Sequence, residues 1–181
     1  MCLMNHIIFE NLTLAEASEN QKLVIVNLMQ LYLYDFSEFA EIGTVHGEVG
    51  SDGRFAYDWL DNYWREDGRI PLIMQAGSRL VGFILVNRWS VLDRQLDKSV
   101  AEFFILRKYR RIGVGSRAAK LLFERWPGRW EVPVAGYNKP ALCFWRKTIP
   151  AIVDATVEEY AGDGKRWVGT VLCFDNRERS S

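Results

Sequence analysis

The sequence shows no excess of either charge, and it contains few cysteines and only two histidines. Acidic and basic residues number 23 each, so overall charge gives no reason to expect nucleic acid or a membrane surface as a partner. The three cysteines, Cys2, Cys143 and Cys173, lack metal-ligand spacing, which predicts reduced thiols in a cytoplasmic protein without a metal. We find neither a secretory signal pattern nor an apolar run of membrane-spanning length.

The chain has no internal repeats and no low-complexity segment. Of its 181 residues, 49% are hydrophobic, which is enough for one well-buried core and little for two. We therefore predict a single domain over residues 1–181, with a polar, disordered tail at 176–181.

A buried strand leading through a glycine loop into a helix is the central feature of the sequence. Residues 100–106 are apolar at every position except Glu102, which is typical of a strand covered on both faces. Residues 114–125 have the spacing of an amphipathic helix. Between them, Gly113 and Gly115 let the backbone approach a ligand where first-turn N–H groups point outward, so we expect an anion there.

Several kinds of site share such a loop. One alternative is that the glycines are needed only for the backbone conformation of the turn and bind no ligand. A second is a dinucleotide-binding loop, since that fingerprint tolerates an alanine such as Ala118 in its third glycine position. The loop lacks the Lys-Ser/Thr pair of a nucleotide P-loop. Arg110 and Arg111 suit a diphosphate that carries no magnesium, which favours a carrier such as coenzyme A and leaves a nucleotide-binding protein as an alternative.

The remaining periodicities predict a mixed α/β (α+β) fold whose sheet has helices on both faces. The long helix at 18–39 should face the core through Leu23, Val26, Met29, Leu33 and Phe36. The glycine-rich, acidic segment 41–53 reads as a loop. The other predicted elements are strands at 7–12, 70–75, 80–87, 130–135, 151–160 and 165–174, and helices at 57–65 and 140–147.

Two motifs resemble the GNAT-type (GCN5-related) N-acetyltransferases. Arg110–Gly115 is similar to that family's Q/R-x-x-G-x-G/A loop, and the stretch from Asn138 to Trp145 is similar to its second signature, an asparagine followed by alanine and a hydrophobic-aromatic pair. The order of elements is also similar. The resemblance implies one mixed, mostly antiparallel sheet of about seven strands, with a V-shaped splay between the central strands.

The resemblance further implies acetyl-coenzyme A as donor, a primary amine as acceptor, and direct attack in a ternary complex. On this basis the coenzyme-binding residues are Phe103, Phe104, Ile105, Arg110, Arg111, Ile112, Gly113, Val114, Gly115, Ser116, Asn138 and Trp145. Because Pro140 favours the first helical position, we expect Lys139 to cap the helix and leave the Asn138 amide free; the alternative is that Asn138 is the cap.

Glu102 is the first candidate for the general base. A carboxylate within an apolar strand needs a partner or a raised pKa, and a raised pKa suits a base working near neutrality. The alternative is a structural pair with an arginine or tyrosine. Glu131 is the second candidate, unless strand alternation simply turns it to solvent.

The proton donor is left unassigned because Trp145 stands where many family members have a tyrosine, and an indole N–H is not an acid. Either water or another group such as Tyr137 protonates the leaving thiolate, or acid catalysis is not required. An acyl-enzyme on Cys143 is disfavoured, since no histidine lies near it in sequence.

The acceptor site is predicted from acidic and aromatic residues that would border its mouth, namely Tyr32, Asp35 and Glu38, with Glu41, Glu48 and Asp52 nearby. Their charge would attract a cationic amine, unless they are only solvated loop residues. A polyamine, an aminoglycoside, a peptide N-terminus and a protein lysine are all compatible. The competing function is a non-catalytic module that binds acyl-coenzyme A, and the protein could be a monomer or a homodimer.

Overall fold

In a computed structural model that describes residues 11–41 and 47–177, seven strands form one mixed sheet in the order β1-β2-β3-β4-β5-β7-β6. All neighbouring strands are antiparallel except β4 and β5. This confirms the predicted fold class. The strands are β1 Leu12–Glu16, β2 Ile70–Ala76, β3 Arg79–Asn87, β4 Lys98–Ile105, β5 Arg129–Ala135, β6 Glu158–Ala161 and β7 Gly169–Asp175.

Three α-helices in the described part of the chain cover the two faces of the sheet. Helix α1 (Lys22–Ser37) packs on one face against Phe83 and Phe104, while α2 (Val114–Arg125) and α3 (Lys139–Ile152) bury the opposite face. Because successive side chains of a strand point to opposite faces, the strands contribute to two apolar layers, as expected for a sheet covered on both sides. Short 3₁₀ turns occur at Glu19–Gln21, Asp61–Trp64 and Arg107–Tyr109.

Strands β4 and β5 separate after a short paired segment. Lys98 pairs with Trp130 and Ser99 pairs with Glu131, and the described register ends there although both strands continue. The other edge of β5 pairs with β7 along its whole length. The predicted V-shaped splay is thus present, and it leaves the β5-facing edge of residues 100–105 available to another extended chain.

The predicted buried face of α1 is confirmed for Met29, and for Val26, Leu33 and Phe36, which pack partly buried against the core, but it was wrong for Leu23. The buried residues are Ile25, Leu28, Met29 and Tyr32, whereas Leu23 is 64% exposed. Almost every position from 23 to 33 is apolar, so the periodicity within this helix does not select a face. Packing against β3 and β4 makes the choice, and it turns Tyr32 toward Glu102.

Other predicted boundaries also needed correction. The predicted helix at 57–65 is only the 3₁₀ turn Asp61–Trp64, and the predicted strand 151–160 is reduced to Glu158–Ala161. Helix α3 continues to Ile152 and includes Pro150. The proline is tolerated because it lies in the last turn, where its missing N–H removes only one helical hydrogen bond. Of the predicted first strand and tail, residues 7–10 and 178–181 lie outside the described residues, as do residues 42–46 of the predicted loop 41–53.

Candidate active site

A carboxylate bonded by two tyrosines lies at the centre of the site. Glu102 is on β4 and accepts hydrogen bonds from the hydroxyls of Tyr32 on α1 and of Tyr57, the latter at 2.8 Å. In the β3–β4 register Leu85 pairs with Glu102 and Val86 with Val100, so a bulge at Ala101 accompanies this position. Glu102 and Phe104 lie on the side of the sheet that α1 covers. The Glu102 carboxyl group therefore points at the two phenols.

Burial raises the pKa of Glu102 to about 7, although the hydrogen bonds from Tyr32 and Tyr57 oppose the rise. The same burial and the nearby negative charge raise the pKa of both tyrosines well above their usual value. The phenols therefore stay protonated as donors, and the carboxyl group is the member that exchanges a proton near neutral pH. The expected structural pairing with tyrosine and the raised pKa occur together.

The position of Tyr57 depends on the loop that follows α1. The Gln30 side chain on α1 accepts from the backbone N–H of Phe55 at 2.8 Å and donates to its carbonyl at 3.1 Å. These two bonds tie the loop to the helix two residues before Tyr57. Sequence analysis missed Tyr57 as a site residue, because its pattern predicts a helix at 57–65 that the structure does not contain.

The glycine loop forms an open helix N-terminus at α2. Gly113 is the N-cap with φ of 87°, and Arg111 also has positive φ at 61°. A side chain at Gly115 would press on the Phe144 ring at 3.0 Å and on Ile105 at 3.3 Å, so the backbone passes close to α3 and β4 there. The first-turn N–H groups of α2 have no helical acceptors, which is the arrangement an anion requires.

Side chains of the other predicted coenzyme residues are mostly committed to packing. Phe104 and Val114 are buried, and Ile105 is 9% exposed, so only their backbone groups can meet a ligand. Phe103 and Ile112 pack on the core from partly buried positions. The Ser116 hydroxyl lies 3.3 Å from that of Thr148 on α3, within hydrogen-bonding distance.

Arg110 and Asp35 were predicted in two different sites, but the structure joins them. The Arg110 guanidinium donates to the Ile105 carbonyl at 2.7 Å and pairs with Asp35. Arg107, which sequence analysis overlooked, donates to the other oxygen of Asp35 at 2.8 Å. Two guanidinium groups compensate the Asp35 carboxylate, so it anchors α1 to the end of β4, and its charge is not free to attract an amine.

The predicted cap of α3 was wrong. Asn138 is the N-cap, and its side-chain oxygen accepts from the Ala141 N–H at 3.1 Å, so this side chain is engaged in the cap. Trp145 is 4% exposed and packs edge-on against Phe103 at 4.9 Å between ring centroids. Its ring is part of the core beneath β4.

A row of four aromatic rings runs from the carboxylate to the surface, and of these sequence analysis named Tyr32 and Tyr137 as candidate site residues but not Phe36 or Phe39. Tyr32 contacts Phe36 at 4.5 Å between centroids, Phe36 contacts Tyr137 at 6.2 Å, and Tyr137 stacks on Phe39 at 5.5 Å with planes 28° apart. We call Tyr32, Phe36, Phe39 and Tyr137 the aromatic wall. Because Tyr137 follows β5 and the other three belong to α1 or its end, the wall joins elements on the two sides of the splay.

Glu131 lies at the paired end of the splay. It is 2% exposed, so the alternative of a solvent-facing side chain is wrong. Its oxygens accept from the Ser90 hydroxyl at 2.7 Å and from the Val91 N–H at 3.1 Å, which fixes the loop after β3. Beside it is an open cavity of about 780 Å³ whose wall includes Cys173, away from the aromatic wall.

Within residues 11–41 and 47–177, no group of three or more histidine, cysteine or acidic side chains is arranged to hold a metal ion. No helix in that same part of the chain has the length and apolar character needed to cross a membrane.

Solved structures with the same architecture are acetyltransferases. The chain is similar to an acetyltransferase from Thermus thermophilus (TM-score 0.62, 18% identity, 91% of this chain and 95% of that one). It is similar to a GNAT-family acetyltransferase from Staphylococcus aureus (TM-score 0.58, 12% identity, 92% and 99%). A third is spermidine N-acetyltransferase from Vibrio cholerae, solved with coenzyme A and spermine (TM-score 0.56, 14% identity, 91% and 94%).

No protein-family model matches the sequence, and the comparison with curated proteins finds no match either. The similarity to solved structures is therefore one of fold at low sequence identity. It agrees with the splayed central strands and with the glycine-capped helix that follows β4. The chain has the fold of the GNAT-type N-acetyltransferases.

Proposed function

We propose that the protein is an N-acetyltransferase that moves an acetyl group from acetyl-coenzyme A directly to a primary amine in a ternary complex. One observation carries the proposal: a carboxyl group whose pKa is raised to about 7 lies on the strand that borders the splay and leads into the open helix N-terminus. This combination supports a base, an extended binding edge and an anion site that follow one another along one strand and its following loop.

The residues present fit coenzyme A. Gly113 adopts the left-handed conformation that exposes the first amides of α2, and Gly115 has no side chain to fill the loop. Arg111 is exposed beside these amides and adds positive charge for a diphosphate. The open edge of residues 100–105 would hold the pantetheine arm as a further strand, with Asn138, whose side-chain oxygen caps α3, across the gap.

In this proposal Glu102 takes the proton that the attacking amine loses. Acetyl-coenzyme A would supply the acyl group as a thioester, so the new bond is C–N, the broken bond is C–S, and coenzyme A leaves as its thiolate. Tyr32 and Tyr57 hold the carboxylate in place and keep its pKa from rising further. Backbone N–H groups at the open edge of β4 are the donors available to a carbonyl oxygen that gains negative charge.

The acceptor in this proposal is a cationic small molecule or an amine of a peptide or protein. The Vibrio cholerae structure was solved with spermine, which supports an amine acceptor for proteins of this fold. The identity of the amine has to come from the site itself, since the two chains are only 14% identical.

The test is release of free thiol from acetyl-coenzyme A in the presence of a panel of primary amines. We expect Glu102→Gln to lower kcat by about 10²- to 10⁴-fold, the usual size of a general-base contribution. Glu124→Gln, on the exposed face of α2, is the matched control and should behave like wild type. Calorimetry should show that both variants bind coenzyme A as wild type does.

Two results would contradict the proposal in different ways. Binding of coenzyme A without turnover of any amine would favour the non-catalytic acyl-coenzyme A module. Preference for ATP over coenzyme A in calorimetry would instead indicate a nucleotide site at the Gly113 loop.

A further inference from the structure

We propose that the acceptor is an apolar monoamine, a primary amine on a short alkyl chain that bears an aromatic ring, in preference to a polyamine or an aminoglycoside. This inference rests on the proposed N-acetyltransferase function and names the substrate class for the same site. It follows from two features that only the tertiary structure creates, the aromatic wall and the compensation of Asp35 beside it.

The aromatic wall leads from solvent to the base. At its outer end Tyr137 is 55% exposed and Phe39 is 38% exposed, while at its inner end Tyr32 is buried and donates to Glu102. The pKa of Tyr137 is raised by burial and then by the charge of Glu102, so its hydroxyl is within electrostatic reach of the carboxyl group. A ligand ring resting on this wall would gain apolar burial and ring-edge contacts along its length.

The acidic residue Asp35, beside the wall on α1, is paired with basic side chains. Asp35 pairs with both Arg107 and Arg110, and it raises the pKa of Arg107, with a smaller contribution from the charge of Glu38. The Asp35 carboxylate near the end of α1 is therefore compensated by two guanidinium groups. The Asp52 carboxylate accepts from the Arg54 N–H at 3.1 Å within its own turn.

These features discriminate between amines by the cost of desolvating charge. A monoamine brings one ammonium group, and Glu102 together with the faces of the neighbouring rings can receive it. Every further ammonium group of a polyamine or aminoglycoside would lose water beside aromatic rings, and a buried charge without a partner is costly. The carbon skeleton of an arylalkylamine instead covers the exposed faces of Phe39 and Tyr137.

The experiment compares kcat/KM for 2-phenylethylamine, n-butylamine, spermidine and kanamycin, with free-thiol release as the readout and the full chain as the enzyme. We expect 2-phenylethylamine to exceed n-butylamine by about 3- to 10-fold, the equivalent of one aromatic contact. Both should exceed spermidine and kanamycin.

Variants test whether the rings act through the acceptor. Tyr137→Leu and Phe36→Leu keep apolar volume, and each should raise KM for 2-phenylethylamine by about 3- to 10-fold while changing KM for n-butylamine by less than about 2-fold. Trp89→Leu removes an exposed ring on the loop after β3 and is the matched control. Thermal melting of each variant checks that the fold is retained.

The outcomes separate the inference from the function on which it rests. Higher kcat/KM with spermidine or kanamycin than with 2-phenylethylamine overturns the acceptor class and leaves acetyl transfer intact. An equal loss on both monoamines in the Tyr137 and Phe36 variants also overturns it, because the rings would then be only structural. Absence of turnover with every amine contradicts the proposed function itself.

Discussion

Replacement of Tyr57 by phenylalanine should raise the pKa of Glu102, the proposed general base. The hydroxyl of Tyr57 donates to Glu102 at 2.8 Å and thereby favours the ionised carboxylate, so its removal favours the protonated form. A hydrogen bond to a charged group contributes about 1.5–3 kcal/mol, and one pKa unit corresponds to about 1.4 kcal/mol. The pKa should therefore move from about 7 to roughly 8–9 in Tyr57→Phe.

The consequence for rate follows from the fraction of ionised base. Near pH 7 about half of Glu102 is ionised in wild type, whereas roughly a tenth to a hundredth would be ionised in the variant. We expect kcat/KM at pH 7 to fall by about 5- to 50-fold, and to recover as the pH rises above the new pKa. The fall in kcat/KM would thus come from protonation of Glu102 and would be reversed at high pH, whereas a fall caused by a damaged structure would not.

The assay is the pH dependence of kcat/KM between pH 5.5 and 10 by thiol release, with one amine throughout. Ionisation of the amine affects the pH profile equally in every variant. A shift between two profiles therefore measures the change in the pKa of the enzyme's own ionising group. Tyr63→Phe is the control, since the buried Tyr63 hydroxyl bonds to Asn87 and Arg69. Its profile should match that of wild type, and Glu102→Gln should lose the enzyme's limb altogether.

Two results would refute this reasoning. An unchanged pKa in Tyr57→Phe would mean that the Tyr57 hydroxyl does not stabilise the carboxylate. Persistence of the limb near pH 7 in Glu102→Gln would assign that ionisation to another group.

Three further predictions concern the glycine loop at Gly113, the core and the cysteine thiols. Gly113→Ala forces a side chain into φ of 87°, so it should lower the free energy of unfolding by about 1–2 kcal/mol and weaken coenzyme A binding, measured by urea denaturation and calorimetry. Trp145→Ala should lower the free energy of unfolding by about 3–5 kcal/mol, because the ring is 4% exposed in the core; an unchanged urea midpoint would contradict this. At pH 8 iodoacetamide should modify the exposed Cys143 at least about ten-fold faster than Cys173, since burial raises the pKa of Cys173 to about 11 and the thiolate is the reactive form. Peptide mass spectrometry measures that ratio, and equal rates would show that Cys173 is accessible.

Local patterns were sufficient for much of the sheet and for α2. The hairpin of β2 and β3 and the strand β4 were predicted within two residues, and α2 was predicted with its observed bounds at Val114 and Arg125. In these segments periodicity, turn residues and glycine placement agree with one another. Glu102 also stood out from sequence, because a single charge in an apolar strand requires an explanation; its role as base stays a prediction.

Local patterns failed where the same residues were equally compatible with two buried faces or with two kinds of secondary structure. Helix α1 is apolar almost all round, so its buried face was chosen by contact with β3 and β4. Residues 151–152 are as acceptable in a strand as in the last turn of a helix, and packing of α3 on the sheet decided for the helix. Tyr57 was misassigned because a short aromatic segment does not specify an α-helix without tertiary support.

The sequence by itself determined the order of elements, the glycine loop and the lone carboxylate, since each depends on residues within a few positions of one another. Only the tertiary structure decided the partners of that carboxylate, the ion pairs of Asp35 and the aromatic wall. Tyr32 and Glu102 are 70 positions apart, and Arg110 and Asp35 are 75 apart. The partners of a polar or aromatic group come from distant segments, and the packing of helices on the sheet selects them.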